Sequence, residues 1–280
     1  MRPTEPVEST VSDSAGVPWE GRKFEHAPAS ADDGSAPAAL IRALRLFREA
    51  GVREAGVREA GVGEAGVGEA GVGEAGVVDA IRDSRLLIPL VAHLGESGID
   101  AHHHTGDKKA ELSIVTVSGP DGRNVMPVFS SVDAMQRWNP LARPVPANAV
   151  RVALAAASEG TELVVLDPTS PTEFAIRRPA LWAIAQSQAW IPSYLDPEIL
   201  DEFRNSAAFE PTVVSVSLEP GDPDARLVGP ELVVHLTLTP GLAGSELHAL
   251  LGRLQSRWTV SERITTRVDS LKVQLGTAGA

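Results

Sequence analysis

"ELSIVTVSGPDGRNVMPVFSS", residues 111–131, sets two runs of strand-forming residues around a turn. In "ELSIVTVSG" (111–119) apolar and polar residues alternate, which places Leu112 and Ile114 opposite Val115 and Val117 on a half-exposed strand. "PDGR" (120–123) is turn chemistry: Pro presets its φ, Asp bonds its own backbone, and Gly accepts positive φ. A hairpin with "NVMPVFSS" (124–131) is therefore predicted. Ser131 then stands as the N-cap of "VDAMQRW", with Val132, Met135 and Trp138 packing inward.

On the N-terminal side of this hairpin, "RLLIPLVAHL" (85–94) reads as a buried strand, with Pro89 at an edge or a bulge because it lacks an N–H. "ANAVRVALAAASEG" reads as a helix that stops at Gly160 in a left-handed cap. "TELVVLDP" and "TEFAIRR" are strands joined by "PTSP". Helices should start at Pro179 and at Asp196-Pro197-Glu198, the second carrying Ile199, Leu200 and Phe203 on its apolar side. From about 210, "TVVSVSLEPG" alternates with Val214, Val216 and Leu218 on one face, and "ELVVHLTLTPG" with Leu232, Val234, Leu236 and Leu238. Ser245 is expected to cap a helix striped by Leu247, Leu250, Leu251, Leu254 and Trp258, before "DSLKVQL" closes as a strand with Leu271, Val273 and Leu275 inward. Core packing is the first reading for Trp138, Trp182 and Trp258. The fold class expected is α+β: a mixed, mainly antiparallel sheet flanked by helices, followed by a smaller β-β-α-β unit.

"GVREAGVREAGVGEAGVGEAGVGEAGVVDA" (51–80) repeats a five-residue unit. It follows a helix expected from Pro37, whose Leu40, Ile41, Leu44 and Phe47 form a stripe. Five residues turn a helix by about 500°, a net step of roughly 140°, so the repeated Val builds no face. On a strand the odd period sends successive Val residues to opposite sides. Nine glycines between 51 and 76 each disfavour helix by about 1 kcal/mol relative to Ala. A pentapeptide-type β-helix is the rival reading, but the copies are few for a stacked core. The repeat reads as a partly helical insertion that performs no function of its own, giving way to a short helix at "VVDAIRDS" (77–84).

The 280 residues contain 25 Lys and Arg against 37 Asp and Glu, a formal net charge of −12, and no Cys. The acidic balance argues against a nucleic-acid partner. Without Cys there are no disulfides, thiolate nucleophiles or Cys-based metal sites. The N-terminal "MRPTEPVESTVSDSAGVPWEG" has no apolar h-region of a secretory signal, and no run reaches the roughly 18 apolar residues of a membrane span. A cytoplasmic protein without a membrane partner is expected.

The segments "RLLIPLVAHL" (85–94), "DKKAELSIVTVSGPDGRNVMPVFSS" (107–131) and "LVVLDPTSPTEFAIRR" (163–178) together resemble the N-terminal domain of the SseB (enhanced serine sensitivity) family. The likeness covers roughly 77–190, and its order and spacing look like the actinobacterial form, with a C-terminal extension over 210–280. The repeat, the tail and His102-His103-His104 look like additions to the family pattern. The resemblance implies a serine-sensitivity phenotype and no settled enzymatic activity, so no catalytic residue carries over. The expected organisation is a disordered tail (1–36), a helix interrupted by the repeat (37–84), an SseB-like N-terminal domain (85–205) and a C-terminal β-β-α-β domain (206–280).

Candidate chemistry is sparse. His102-His103-His104 reads either as a solvated loop or as a metal site, though adjacent side chains seldom converge on one ion. Ser130 and Ser131, with Asp167 and His93, can be drawn as a triad, but no G-x-S-x-G elbow is present. Asp167 before Pro168 lies at a strand end, where sites gather in α/β proteins and where turn-forming Asp is also common. Arg177 and Arg178 either hold an anion beside a helix start or form a solvated pair. The leading expectation is a non-enzymatic cytoplasmic binding or regulatory module without a cofactor, taking a protein or small anionic ligand at Ser130, Ser131, Asp167, Arg177 and Arg178. A sheet edge offers a route to a homodimer. The rival is a hydrolase or transferase with its site near Ser130, Ser131, Asp167 and Arg177.

Overall fold

Arg85–Leu94 (β1) pairs antiparallel on one side with Ala110–Ile114 (β2) and on the other with Arg143–Asn148 (β5). The structure is a computed structural model that describes residues 32–59, 73–94 and 110–279. Met1–Asp33 and Gly34–Ala280 form separate units, and of the first only Asp32 and Asp33 are described. The predicted tail over 1–36 therefore lies almost wholly outside the described residues, as does His102–His104. β1 is a central strand, so Pro89 sits neither at an edge nor at a bulge. It faces Pro144 across the β5 ladder, while β2 begins one residue later at Leu90. Two opposed prolines fit where the antiparallel ladder exchanges no N–H bonds.

The 111–119 run does not form one strand. β2 belongs to the sheet of β1, whereas Val117–Ser118 (β3) pairs with Asn124–Val128 (β4). Among the described residues one backbone bridge joins the two sheets, where Leu87 and Phe129 exchange N–H···O bonds of 2.8 and 2.9 Å, so a chain serving both must bend between Ile114 and Val117. The turn forms as predicted, with Gly119 N donating to Arg123 O at 2.8 Å and Gly122 at φ 81°. β4 runs parallel to Val164–Leu166 (β6), which pairs antiparallel with Phe174–Ile176 (β7), giving the order β3-β4-β6-β7.

Helices cover these sheets. Ala38–Glu59 (α1) buries Leu40, Leu44 and Phe47 of the predicted stripe and leaves Ile41 half-buried. Glu74–Arg82 (α2) adds Val77, Val78 and Ile81, so the last repeat unit is built into the folded core rather than appended to it. Val132–Trp138 (α3) is capped by Ser131, and Ala149–Ser158 (α4) by Asn148. Beyond α4, Gly160 adopts φ 65°. Arg178–Ala185 (α5) completes this layer, with Trp182 on its outside at 45% exposure and the Arg178 guanidinium over its ring, not in the core.

The second core lies on a three-stranded sheet ordered β10-β9-β8: Val213–Pro220 (β8), Leu232–Leu238 (β9) and Leu271–Thr277 (β10). β9 alternates strictly, burying Leu232, Val234, Leu236 and Leu238. β8 follows its pattern at Val216, but a register shift between Val213 and Ser215 turns Val214 outward. Pro197–Ala207 (α6), Gly244–Val260 (α7) and Glu262–Arg267 (α8) pack beneath the sheet. α6 thus belongs to this core although its sequence precedes 206. The α7 cap is Ala243, whose N–H donates to Glu246 Oε2 at 3.0 Å, and Ser245 lies inside the helix. Among the described residues the architecture is α+β and mostly antiparallel.

Leu250 is 1% exposed beneath the sheet, so Leu250→Asp should lower stability by at least about 3 kcal/mol. Glu246→Ala, which removes the cap contact, should lose about 0.5–1 kcal/mol. His248→Ala, on the exposed side, should change little. Urea unfolding of the three variants tests the phase of α7, and equal losses would mean the helix is drawn in the wrong phase.

Candidate functional site

β4 and β6 run parallel and deliver Ser130 and Asp167 to the same end of the sheet. Asp167 N continues the ladder by donating to Val128 O at 2.8 Å. Its backbone then enters the left-handed region at φ 46°, which short polar residues accept most readily. This turns the carboxylate back onto its neighbours: Oδ1 accepts Ser130 N at 2.8 Å, and Oδ2 accepts Ser130 Oγ at 2.6 Å and Thr172 Oγ1 at 2.8 Å. Asp167 and Ser130 are 1% and 2% exposed. Chemically this is a carboxylate with three donors that ties two strand ends to the 167–173 turn. Ser131 faces elsewhere and caps α3 by accepting Ala134 N at 3.1 Å. The side chain of His93 lies outside the described ones.

Arg177 and Arg178 do not join that pair. Arg177 is the residue after β7 and the N-cap of α5, and its guanidinium is buried. Nη2 donates to Asp222 Oδ2 at 2.7 Å and Gly229 O at 2.8 Å, and Nη1 to Asp269 Oδ2 at 3.2 Å and Ser270 Oγ at 3.3 Å. Arg123, in the hairpin turn, grips Asp269 through two bonds of 3.0 and 2.9 Å. Arg178 Nη2 donates to Thr265 O at 2.9 Å and Val268 O at 2.8 Å. Arg177 thus meets carboxylates of its own chain and Arg178 meets backbone carbonyls, and both reach across to residues 222–270. Burial pushes the Asp269 carboxyl up, but Arg123 and Arg177 prevail and hold it below the usual carboxylate range.

Two further carboxyls border this cluster and behave oppositely. Glu231 accepts Ser193 Oγ at 2.6 Å and the Asp269 N–H, yet burial holds its carboxyl above the ordinary range. Glu74, from the last repeat unit, is half-buried by surface area although protein atoms crowd its carboxyl, and the crowding governs its charge. Burial, reinforced by Glu231 and Asp222 and opposed by Arg177 and a hydrogen bond with Tyr194, pushes it up to about 8. The repeat thereby contributes a titratable group to the junction. Among the described residues no cluster of three or more His, Asp or Glu is placed to hold a metal ion.

Sequence reading singled out Arg177 and Asp167 but not Asp222, Asp269, Glu231, Arg123 or Thr172. Asp222 lies in "GDPD" (221–224) and Asp269 opens "DSLKVQL" (269–275), and neither stretch carries a local signal of this role. Their function depends on partners 45 and 92 residues away, which spacing cannot show.

Arg177→Ala leaves Asp222 buried without its cation and Asp269 with Arg123 alone, and should lower stability by about 3–5 kcal/mol. Arg178→Ala, which loses two bonds to backbone carbonyls, should lower it by about 1–2 kcal/mol, as urea denaturation can check. Folding takes up protons at Glu74 and Glu231 because both sit above their unfolded range. The Glu74 contribution is whole below about pH 4.5, the ordinary Glu value, and is lost as pH rises towards about 8. Glu74→Gln should therefore show a smaller fall in Tm between pH 6 and 9 than the parent. Parallel Tm curves would mean that another group titrates.

No helix of the described residues is long and apolar enough to cross a membrane. No curated protein and no solved structure matches the chain. The family comparison does find a match, and it starts inside the five-residue repeat and stops within α5. It takes in Arg123, Ser130, Asp167 and Arg177 but leaves out the carboxylates that occupy Arg177. Residues 64–183 of this chain match the family described as SseB protein N-terminal domain.

Proposed function

We propose that this chain is a non-enzymatic binding or regulatory module of the cytoplasm, built on its SseB-type segment, with a protein or small anionic ligand as partner. The observation that carries this reading is the state of the strand-end pair. Ser130 Oγ gives its only proton to a carboxylate that already accepts two other donors, and both residues lie under the surface. A nucleophile must present its oxygen to a substrate atom about 3 Å away, beside a base with a free lone pair. Ser131 Oγ accepts the Ala134 N–H as a helix cap, and Arg177 spends its guanidinium on Asp222 and Asp269. The acidic balance of the chain goes with a partner other than nucleic acid. Among the described residues β8 and β10 each pair only with β9, so either could add a strand from a second copy.

One contact favours a hydrolase or transferase instead, the 2.6 Å bond between Ser130 and Asp167. The purified chain, with Ser130→Ala and Ser131→Ala variants, should be assayed on esterase, phosphatase and nucleotidase substrates. No turnover above buffer is expected. Turnover abolished by either substitution, in a variant that still unfolds cooperatively, would replace the binding reading with the enzymatic one.

A further inference from the structure

The connection between β8 and β9, residues 221–231, is far longer than the roughly two to five residues a hairpin needs. It also holds its own shape. Gly221 N donates to Glu231 O at 2.9 Å, and the neck is so narrow that a Cβ on Gly221 would strike the Pro230 carbonyl and one on Gly229 the Gly221 carbonyl. Inside the neck, Asp222 accepts Arg226 N at 3.2 Å and Leu227 N at 2.7 Å, while Ala225 N donates to Asp222 O at 2.8 Å. Ala225 and Leu227 sit at φ 48° and 59°, backbone conformations that side-chain-bearing residues seldom adopt. Strain of this kind gathers where a segment must present particular groups.

What the loop presents is a complete set of docking contacts. Ala225 O accepts Ala175 N at 2.7 Å, at the middle of the β7 edge that β6 leaves open. Leu227, 3% exposed, packs with Val125, Leu163, Val165 and Ala175. Asp222 takes Arg177 at 2.7 Å, and the Asp224 carbonyl takes Arg48. Every receiving group except Arg48 lies within the matched 64–183, and every presenting group lies outside it. The loop's far flank is not packed. It borders an open cleft of about 800 Å³ with Pro120, Asp121 and Arg123, and Val228 there is 75% exposed.

We propose that the loop is an intramolecular ligand, filling a peptide-docking groove on the β7 edge of the SseB-type segment. When the loop withdraws, the groove takes a partner segment of the same chemistry: an acidic residue for Arg177, a small residue on the β7 edge, and a leucine five positions after the acid. Strand-edge bonding gives such grooves their general affinity, and side-chain pockets give their selectivity. A loop that keeps its own shape leaves the groove as one piece, withdrawing Ala225 from the first core and Leu227 from the cluster around Val165. This rests on the binding-module reading, but failure here would leave other partners of that module standing, whereas turnover would remove the module itself.

The test uses a fluorescein-labelled peptide, GDPDARLVGPE, cyclised through its ends to copy the closed neck, and the full chain as parent, Leu227→Ser and Asp222→Asn. Fluorescence anisotropy should show the peptide binding each loop variant at least ten-fold more tightly than it binds the parent. A peptide carrying Leu227→Ser should lose that gain. Thermal unfolding is run on the same samples. Equal binding to parent and variants overturns the proposal, as does absence of binding to variants that unfold cooperatively. Loss of cooperative unfolding in both variants overturns it too, because the loop would then be a fixed part of the core.

Discussion

A guanidinium that leaves water must find full compensation, and Arg177 finds it by drawing residues from two other parts of the chain around it. Asp222 comes from the β8–β9 loop, Asp269 from the approach to β10, and Arg123 from the hairpin turn reaches the same Asp269. Removing Arg177 leaves Asp269 with Arg123 alone and Asp222 with the backbone donors of its own loop. The surrounding structure follows from it. Glu231 is pinned by the Asp269 N–H, Ser270 accepts from both Arg177 and Glu231, and the loop neck closes where Glu231 accepts Gly221. The two hydrophobic cores are each explicable by their own helices and strands, but their relation to one another is electrostatic at its centre.

The same principle separates the two places where chemistry was expected. At the end of β4 and β6, three donors converge on Asp167, and the pair they make is sealed. Polar satisfaction there produces rigidity. At the β7 edge, satisfaction is supplied by a loop whose own bonds hold it in shape and whose outer side is open. A group satisfied by a separable element can be exchanged for another ligand of like chemistry, whereas a group satisfied by its own turn cannot.

The repeat shows how a low-information segment acquires a role from context. Its periodicity builds no face, which remains true of the unit taken alone. Yet α1 runs through Glu59, and the last copies enter α2, where Val77 and Val78 are buried and Glu74 borders the Arg177 junction. Helix formation there comes from packing rather than from the propensity of a glycine-rich unit, as is general for short helices. Deleting whole units through Ala75 would remove Glu74 with them, so the repeat is not separable at its C-terminal end.

Local periodicity accounts for much of the architecture. The stripe of Leu40, Leu44 and Phe47, the alternation of Leu232 to Leu238, the turn at 120–123, the caps at Ser131 and Asp196 and the stop at Gly160 were all legible, because each depends on neighbours within a few residues. Everything else waited on tertiary contact. Such contact split 111–119 between two sheets, set Pro89 in a central strand opposite Pro144, turned Val214 and Trp182 outward, and gave Arg177 its carboxylates. These outcomes depend on which distant segments meet, and the free energy of a buried charge pair or a shared strand edge exists only once they have met. A residue type and its immediate spacing carry no record of that encounter.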